Sequence, residues 1–450
     1  MKIPVVVTRK SLAILCVVLF SVGCTAVPDD LGRGDVVALV GQRGVDPGAL
    51  RRSEPMLPAS KVLGVDAAVA AALSNNPQLR AEFARLSLSA ADIYQADRIS
   101  NPLLSASWLQ SEDSGGGHQL SLGLVTSLTN MMTRPARLRL AKADFERLKK
   151  TVGDAVMTTL ADTQTAYYKY VAAQQIVDLR QQTAKAARLS FELAARFEQA
   201  GNITARELAL AEADAVEAEI VQLEAQQRAY EYRYQLAMLM GVSVAETWQV
   251  PRALPLPKSD DNDLGELLVL ARASRLDLAA SEEKVRLLAE QRGFENWRRW
   301  LVDAQLGLER ERETDGAYLS GPTFEFSLPI FSQNLDAVLR MDSEVQQALA
   351  EFDALQLAVV DDVHLAFNAL GNEADRVALY HKRLLPALQR ATARAQEEQN
   401  FMLIGVFELL SSKQEEYNQY QLYIEALREY WLARTALSRA VGNTLPGDAP

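Results

Sequence analysis

The chain has 450 residues, with 58 acidic against 47 basic side chains, a net charge of -11, 48% hydrophobic and only 7% aromatic residues. No basic run is interleaved with aromatics, so the electrostatic footprint of a nucleic-acid binder is missing. Much of the apolar content is Ala and Leu at helical spacing, which suits an elongated helical body better than a ball.

The N-terminus reads Met1, Lys2, then Arg9 and Lys10, an apolar stretch over 11–20, and the small residues Ser21, Val22 and Gly23 before Cys24. A charged start, an apolar run too short to span a bilayer and a small-residue cleavage site make residues 1–23 an export signal. Ser21-Val22-Gly23-Cys24 resembles a bacterial lipobox, although Leu is usual where Ser21 stands. That resemblance implies lipidation of Cys24, a firm anchor because each buried methylene contributes about 0.8 kcal/mol; the plain alternative is a small residue beside a cleavage site. Both cysteines, Cys16 and Cys24, lie in this segment, so no disulfide is expected in the mature body.

Residues 24–62 carry scattered Pro, Gly and charge without a period and read as an extended surface arm. A helix follows over 65–99, opened by Asp66 and broken after Asn75-Asn76 by Pro77. Two alternating strands come next, Leu104, Ala106 and Trp108 against Ser105 and Ser107, and Leu120, Leu122 and Leu124 against Gln119, Ser121 and Gly123. From Leu138 apolar residues recur in steps of three and four through Phe145, Val152, Ala166, Ala173 and Leu179 to Phe197, a coiled-coil period. Some 65 residues at about 1.5 Å each reach on the order of 100 Å. Gly201-Asn202 breaks this pattern, and a shorter helix runs to Gly241.

Residues 242–263 read as a linker, with Pro251, Pro255, Pro257 and an acidic run. The same order then returns: a helix over 264–300; strands with Ala304, Leu306 and Leu308 against Gln305, Gly307 and Glu309, and Phe324, Phe326 and Leu328 against Thr323, Glu325 and Ser327; a polar loop over 311–321 between them. A second long period runs through Met341, Ala348, Val359, Val363, Ala366 and Leu370, past a bend expected at Pro386, to Phe401, Gly405 and a last helix ending at Gly442. Residues 63–241 and 264–442 are therefore read as two copies of one unit, with Gly241 and Gly442 about 201 residues apart, and residues 443–450 as a loose tail.

The strands could form a small sheet packed on helices. Two observations favour lipid instead: the flanking helices are committed to a long seam, and the opposite strand faces are hydrophilic like an aqueous lumen. Four strands cannot close a barrel, and an open edge cannot sit in a bilayer. Three chains would supply about 12 strands, enough for a water-filled barrel.

Asn76-Pro77-Gln78-Leu79, Asn101-Pro102-Leu103, Ala200-Gly201-Asn202-Ile203, Met238-Leu239-Met240-Gly241, Arg275-Leu276-Asp277-Leu278, Leu328-Pro329-Ile330-Phe331, the run from Ile404 to Leu410 and Val441-Gly442 follow one another in an order and spacing that resembles the TolC family of outer-membrane efflux proteins. The resemblance implies a mainly α fold with a transmembrane β-barrel portion, a homotrimer sharing a 12-stranded barrel in outer-membrane lipid, and a long α-helical barrel in the periplasm. It implies a passive exit channel of a tripartite efflux or type I secretion system, served by a periplasmic adaptor (membrane fusion) protein and an inner-membrane pump of RND, ABC or MFS type.

The glycine breaks are expected to reverse the chain in left-handed conformations. By the resemblance, Gly201, Asn202, Ile203, Thr204, Gly405, Val406 and Phe407 form a periplasmic tip that contacts the adaptor. Glu408, and Glu207 as its counterpart, would narrow the pore, although Ser411 stands where a second acid is common. A solvated helix face is the alternative for both. The apolar strand residues named above are expected to face lipid.

His118, His364 and His381 show no metal-ligand spacing, and Asp361, Asp362 and His364 read as a solvated stripe. With no phosphate-cradling loop and no nucleophile elbow, neither an enzyme nor a cofactor is expected. The competing reading is a lipid-anchored periplasmic coiled-coil scaffold without channel activity.

Overall fold

A computed structural model of the chain describes residues 30–51, 62–110, 118–258, 263–298, 303–327, 330 and 334–445. The export segment with Cys24, and Leu328, lie outside the described residues. In chain order the elements are α1 (Arg33–Gly41), α2 (Pro47–Arg51), α3 (Val65–Asn75), α4 (Pro77–Asp97), β1 (Leu103–Gln110), β2 (His118–Ser127), α5 (Leu128–Gln199) and α6 (Ala205–Met240). They continue with α7 (Leu264–Ser274), α8 (Leu276–Arg298), β3 (Ala304–Arg312), β4 (Tyr318–Phe326), α9 (Leu335–Leu379), a π-helical turn (Tyr380–Leu384), α10 (Leu385–Asn400) and α11 (Val406–Val441).

The described residues form two compact units, each drawing on both halves of the sequence. One takes Arg85–Leu148 and Ser281–Ala350 and contains all four strands. These make one antiparallel sheet in the order β1-β2-β3-β4. Besides the pairs β1–β2 and β3–β4, β2 pairs with β3, Leu124 opposite Leu308, so the halves share one sheet. The β3–β4 connection is shorter than the expected 311–321 loop, because Arg310 and Arg312 continue the strand after the apolar alternation has stopped.

The second unit takes Gly34–Ala84, Lys149–Ala280 and Glu351–Pro450. Its main core gathers the residues expected from the helical seam, including Ala166, Leu179, Val359, Val363 and Leu370, around an aromatic cluster. Tyr168 stacks on Trp431 with centroids 5.0 Å apart, and Tyr167, whose hydroxyl donates to the Leu63 carbonyl at 3.1 Å, has its pKa pushed up to about 12 by burial and then by the Asp66 charge. Just before Pro386 the helix passes through a π-helical turn, Tyr380–Leu384, where a wider ring accommodates the ladder that the proline perturbs.

The stretches read as an extended arm, a linker and a loose tail are packed where they are described. The N-terminal arm holds α1 and α2, and Val36, Val37, Val40 and Leu50 are buried, because their apolar spacing is short but helical. The inter-repeat linker is fastened by Arg233, which donates to the carbonyls of Val244, Glu246 and Trp248 and lies 4.1 Å from the Trp248 ring centre. In the tail, Leu445 is buried and Thr444 N–H donates to the Arg43 carbonyl.

Helices α6 and α11 each close on a left-handed glycine, Gly241 (φ +64°) and Gly442 (φ +70°). A Cβ on Gly241 would stand 2.5 Å from the Asn75 carbonyl oxygen, and one on Gly442 3.0 Å from Arg275 Cα. Each glycine is thus needed twice, for its φ and for close approach to the break between two short helices. Asn76 caps α4, accepting from Gln78 N–H at 2.8 Å and Leu79 N–H at 3.2 Å, while its amide donates to the Leu239 carbonyl. Arg275 reaches the Ala440 carbonyl in the corresponding place and pairs with Asp277 at 2.6 Å and Asp362 at 2.8 Å. Asp361, Asp362 and His364 are all exposed, as a solvated stripe requires, and Asp362 pairs with Arg275 from it.

Candidate channel wall and helix turns

Strand alternation gives the sheet two chemically distinct faces. On one, register places Leu104 beside Leu124 and Leu308, Leu306 beside Phe324, and Ala304 beside Phe326. These are the residues expected to face lipid, with Ala106, Trp108, Leu120 and Leu122 alongside. All are exposed except Ala304, which is half-buried; Leu104 and Trp108 are 71% and 70% exposed. Nothing among the described residues covers this face.

The other face is polar and tightly knit. The Ser107 and Ser121 hydroxyls lie 2.8 Å apart, Ser105 donates to the Gly123 carbonyl, and the Gln119 amide donates to Glu311. A Cβ on Gly307 would come within 2.5 Å of Thr323 Oγ1, and one on Gly123 within 2.5 Å of Ser105 Oγ. Small residues are required here because neighbouring strands crowd on this side, as on the inside of a curved sheet. The outer edges of β1 and β4 pair with no strand among the described residues.

The helix turns lie in the second unit. At the first, Gly201 has φ +74°, its N–H donates to the Glu198 carbonyl, and Asn202 N–H donates to that of Phe197. Thr204 then opens α6 with a capping box: its hydroxyl accepts from Glu207 N–H, and the Glu207 carboxylate accepts from Thr204 N–H at 2.7 Å. This backbone hydrogen bond, followed by that from the Thr204 hydroxyl, holds the Glu207 carboxyl below the usual carboxylate range.

The second turn repeats this hydrogen-bond pattern about 201 residues on, Met402 N–H to Gln399 and Leu403 N–H to Glu398. The expectation that Gly405 supplies the left-handed residue is wrong. Met402 does, at φ +60°, while Gly405 is the extended N-cap of α11 (φ -78°, ψ 157°). Gly405 has no side chain to start a capping box, so the Glu408 carboxylate has no hydrogen-bond or ion-pair partner among the described residues; only its backbone bonds, its N–H donating to the Gly405 carbonyl and its carbonyl accepting from the Ser412 hydroxyl. The Phe197 and Phe407 rings meet edge to face at 6.3 Å, which brings the two turns side by side. Phe401, Met402 and Leu403, not singled out from sequence, are 77%, 93% and 73% exposed; three consecutive apolar residues at a helix reversal were the signal for them.

Among the described residues no group of three or more His, Cys, Asp or Glu could hold a metal ion. No helix among them is long and apolar enough to cross a membrane. The apolar sheet face, uncovered among the described residues, narrows the field, and residues 68–242 match the family described as Outer membrane efflux protein. These residues carry an outer membrane efflux protein domain. The family is one of efflux proteins rather than enzymes, and its compartment is the outer membrane, as the sequence led us to expect.

The chain is 26% identical over 235 residues to Protein CyaE of Bordetella pertussis, covering 48% of this chain and 50% of that one, so it spans about half the length of the curated relative it matches. The CmeC outer membrane channel of Campylobacter jejuni matches over 88% of this chain and 92% of its own, with a TM-score of 0.73 at 15% identity. VceC of Vibrio cholerae matches over 85% and 97%, with a TM-score of 0.69 at 16% identity. The open-state MtrE channel of Neisseria gonorrhoeae matches over 89% and 96%, with a TM-score of 0.68 at 18% identity. At these identities the likeness establishes the fold: the outer membrane efflux domain sits in a TolC-like architecture.

Proposed function

We propose that this chain is one protomer of a homotrimeric exit channel that passively conducts substrates delivered by an inner-membrane pump. The observation that carries this reading is the sheet, whose apolar face is uncovered and whose two outer edges are unpaired among the described residues. A four-stranded sheet with open edges cannot stand alone in lipid, whereas three copies joined edge to edge make a closed wall of about 12 strands with the polar face lining water. The helices support association. Helix α6 exposes Val216, Ile220, Leu223, Tyr230 and Tyr234 in steps of three, four and seven, the spacing of a seam awaiting a partner helix.

In this reading the paired turns around Gly201 to Thr204 and Gly405 to Phe407 are the periplasmic adaptor contact. Glu408, free of the local bonds that occupy Glu207, is the acid available to a narrowed pore. Threefold symmetry would gather three such carboxylates near one axis and favour cations. The chain performs no catalysis, and Cys24 carries the lipid anchor.

Planar-bilayer recording of the purified protein tests the channel. Discrete single-channel conductance is expected; a protein that stays inert at all applied voltages is a scaffold. Labelled palmitate, incorporated by the natural chain and lost in Cys24→Ser, tests the anchor.

A further inference from the structure

The apolar face of the sheet does not end in apolar residues. Strand alternation continues the face of Leu306 and Leu308 to Arg310 and Arg312, both exposed, and register sets Arg310 opposite Leu122 and Ser320, and Arg312 opposite Leu120 and Tyr318. Among the described residues the nearby acids Glu309, Glu311, Glu313 and Asp315 form no ion pair with them. Glu309 and Glu311 point to the polar face, where Glu311 accepts from Gln119, and among the described residues no other carboxylate forms an ion pair with either arginine. The Tyr318 ring centre lies 5.1 Å from the Arg310 guanidinium and 6.0 Å from that of Arg312, and Trp108 sits in the same cross-strand row.

Resting on the channel reading above, we propose that Arg310, Arg312 and Tyr318 form a docking surface for the phosphates of anionic lipid headgroups along one rim of the barrel. A guanidinium on the lipid side is costly at mid-depth but nearly free of cost at the interface, so this row marks where the hydrocarbon ends. From the Arg312 row to the last apolar pair, Ala304 and Phe326, β3 advances about 27 Å at roughly 3.4 Å per residue. With strands tilted by about 40°, that is on the order of 20 Å along the bilayer normal, close to the roughly 25 Å apolar band of such barrels. An aromatic row with two unneutralised arginines is what the headgroup level selects. Arginine's forked donors match phosphate oxygens, and the ring beneath them limits their freedom before lipid arrives.

The test reconstitutes the full-length protein into phosphatidylcholine vesicles with and without phosphatidylglycerol, extracts it in mild detergent, and quantifies the lipid that stays bound. Phosphatidylglycerol should be enriched over phosphatidylcholine by about fivefold for each arginine. R310Q/R312Q should bring the two lipids to parity while conducting normally, and E309Q, on the polar face, should leave the enrichment unchanged. Excess inorganic phosphate should not displace the lipid; if it does, the site takes the free anion and the lipid assignment is overturned. If the natural protein inserts and conducts without enrichment, or if R310Q/R312Q retains it, this inference fails and the channel reading stands. If the protein enters neither vesicle, both fall.

Discussion

Met402 holds, at the second helix reversal, the left-handed backbone position that Gly201 holds at the first, with φ +60° against +74°. An L side chain there costs about 1 to 2 kcal/mol, and Met402, almost fully exposed, has little packing among the described residues to offset it. Met402→Gly should therefore stabilise the second turn by about 1 kcal/mol, and Gly201→Met should destabilise the first by a similar amount although open space surrounds the site. Amide exchange at Leu403 and Asn202 reads both changes; a faster exchange at Leu403 in Met402→Gly would show that the methionine is held by something other than local strain.

The two turns should also differ in acid. Because the folded pKa of Glu207 lies below its ordinary value, its share of the capping box is fully present above the ordinary carboxylate range and is lost as pH falls through the folded value. Amide protection at the start of α6 should drop between about pH 5 and pH 3, while the start of α11, which has no box, changes little. Thr204→Ala should cost about 1 kcal/mol and abolish the difference. Gly405→Ser, unhindered because a Cβ there meets nothing within 4 Å, should build the missing box with Glu408 and transfer the acid sensitivity to α11.

Arg275 is the anchor of the second helix break. Burial alone would raise the Asp277 carboxyl, but the hydrogen bonds and charge of Arg275 outweigh it and hold the pKa below the usual range. Arg275→Ala leaves this partly buried carboxylate without its partner and should cost about 3 kcal/mol near neutral pH. The folded pKa being depressed, this contribution is present above about pH 4 and lost as pH falls further. Thermal melts of natural protein and variant should converge in acid; a gap that persists there would mean packing, not charge, is what Arg275 supplies.

Opposite faces of β3 should answer oppositely to charge. Leu306→Arg places a guanidinium well inside the apolar band, at a cost of about 2 to 4 kcal/mol in lipid, whereas Gln305→Arg points to the polar side. Outer-membrane fractions should hold little assembled Leu306→Arg and near-normal Gln305→Arg. Equal yields would argue against the membrane role of this face.

Much of the architecture was legible because its signals are periodic. The heptad steps that end in Leu179 and Leu370, the alternation at Leu104 or Phe324, and the Asn76-Pro77 break each state a local conformation directly. What escaped is non-local or aperiodic. The β2–β3 pairing depends on a register that no single strand encodes. Arg310 and Arg312 hid the end of β3, since charge on an otherwise apolar face breaks the pattern by which strands are read. Gly405 drew attention as a glycine, whereas the strained position fell to Met402, whose φ only the hydrogen-bond register of the turn reveals. The partners of Arg233 and Arg275, the carbonyls of Val244, Glu246 and Trp248 for the first and the carboxylates of Asp277 and Asp362 with the Ala440 carbonyl for the second, are brought to them by folding. In the candidate site, the strand faces were readable and the exposed Phe401 to Leu403 run was not, because apolar residues beside a long seam look like its continuation.

The most direct test of the central claim is a nitroxide scan along β3 and β4 of the assembled protein in lipid, with the spin label on single cysteines from Ala304 to Arg312 and from Tyr318 to Phe326. Collision with oxygen, which concentrates in the bilayer, should peak at Leu306, Leu308, Phe324 and Phe326. Collision with a water-soluble nickel chelate should peak at Gln305, Glu309, Thr323 and Glu325, the two profiles running out of phase with a period of two residues. Labels at Leu306 and Phe324 shielded from both reagents would place that face against protein, and the account of a shared barrel in lipid would be contradicted.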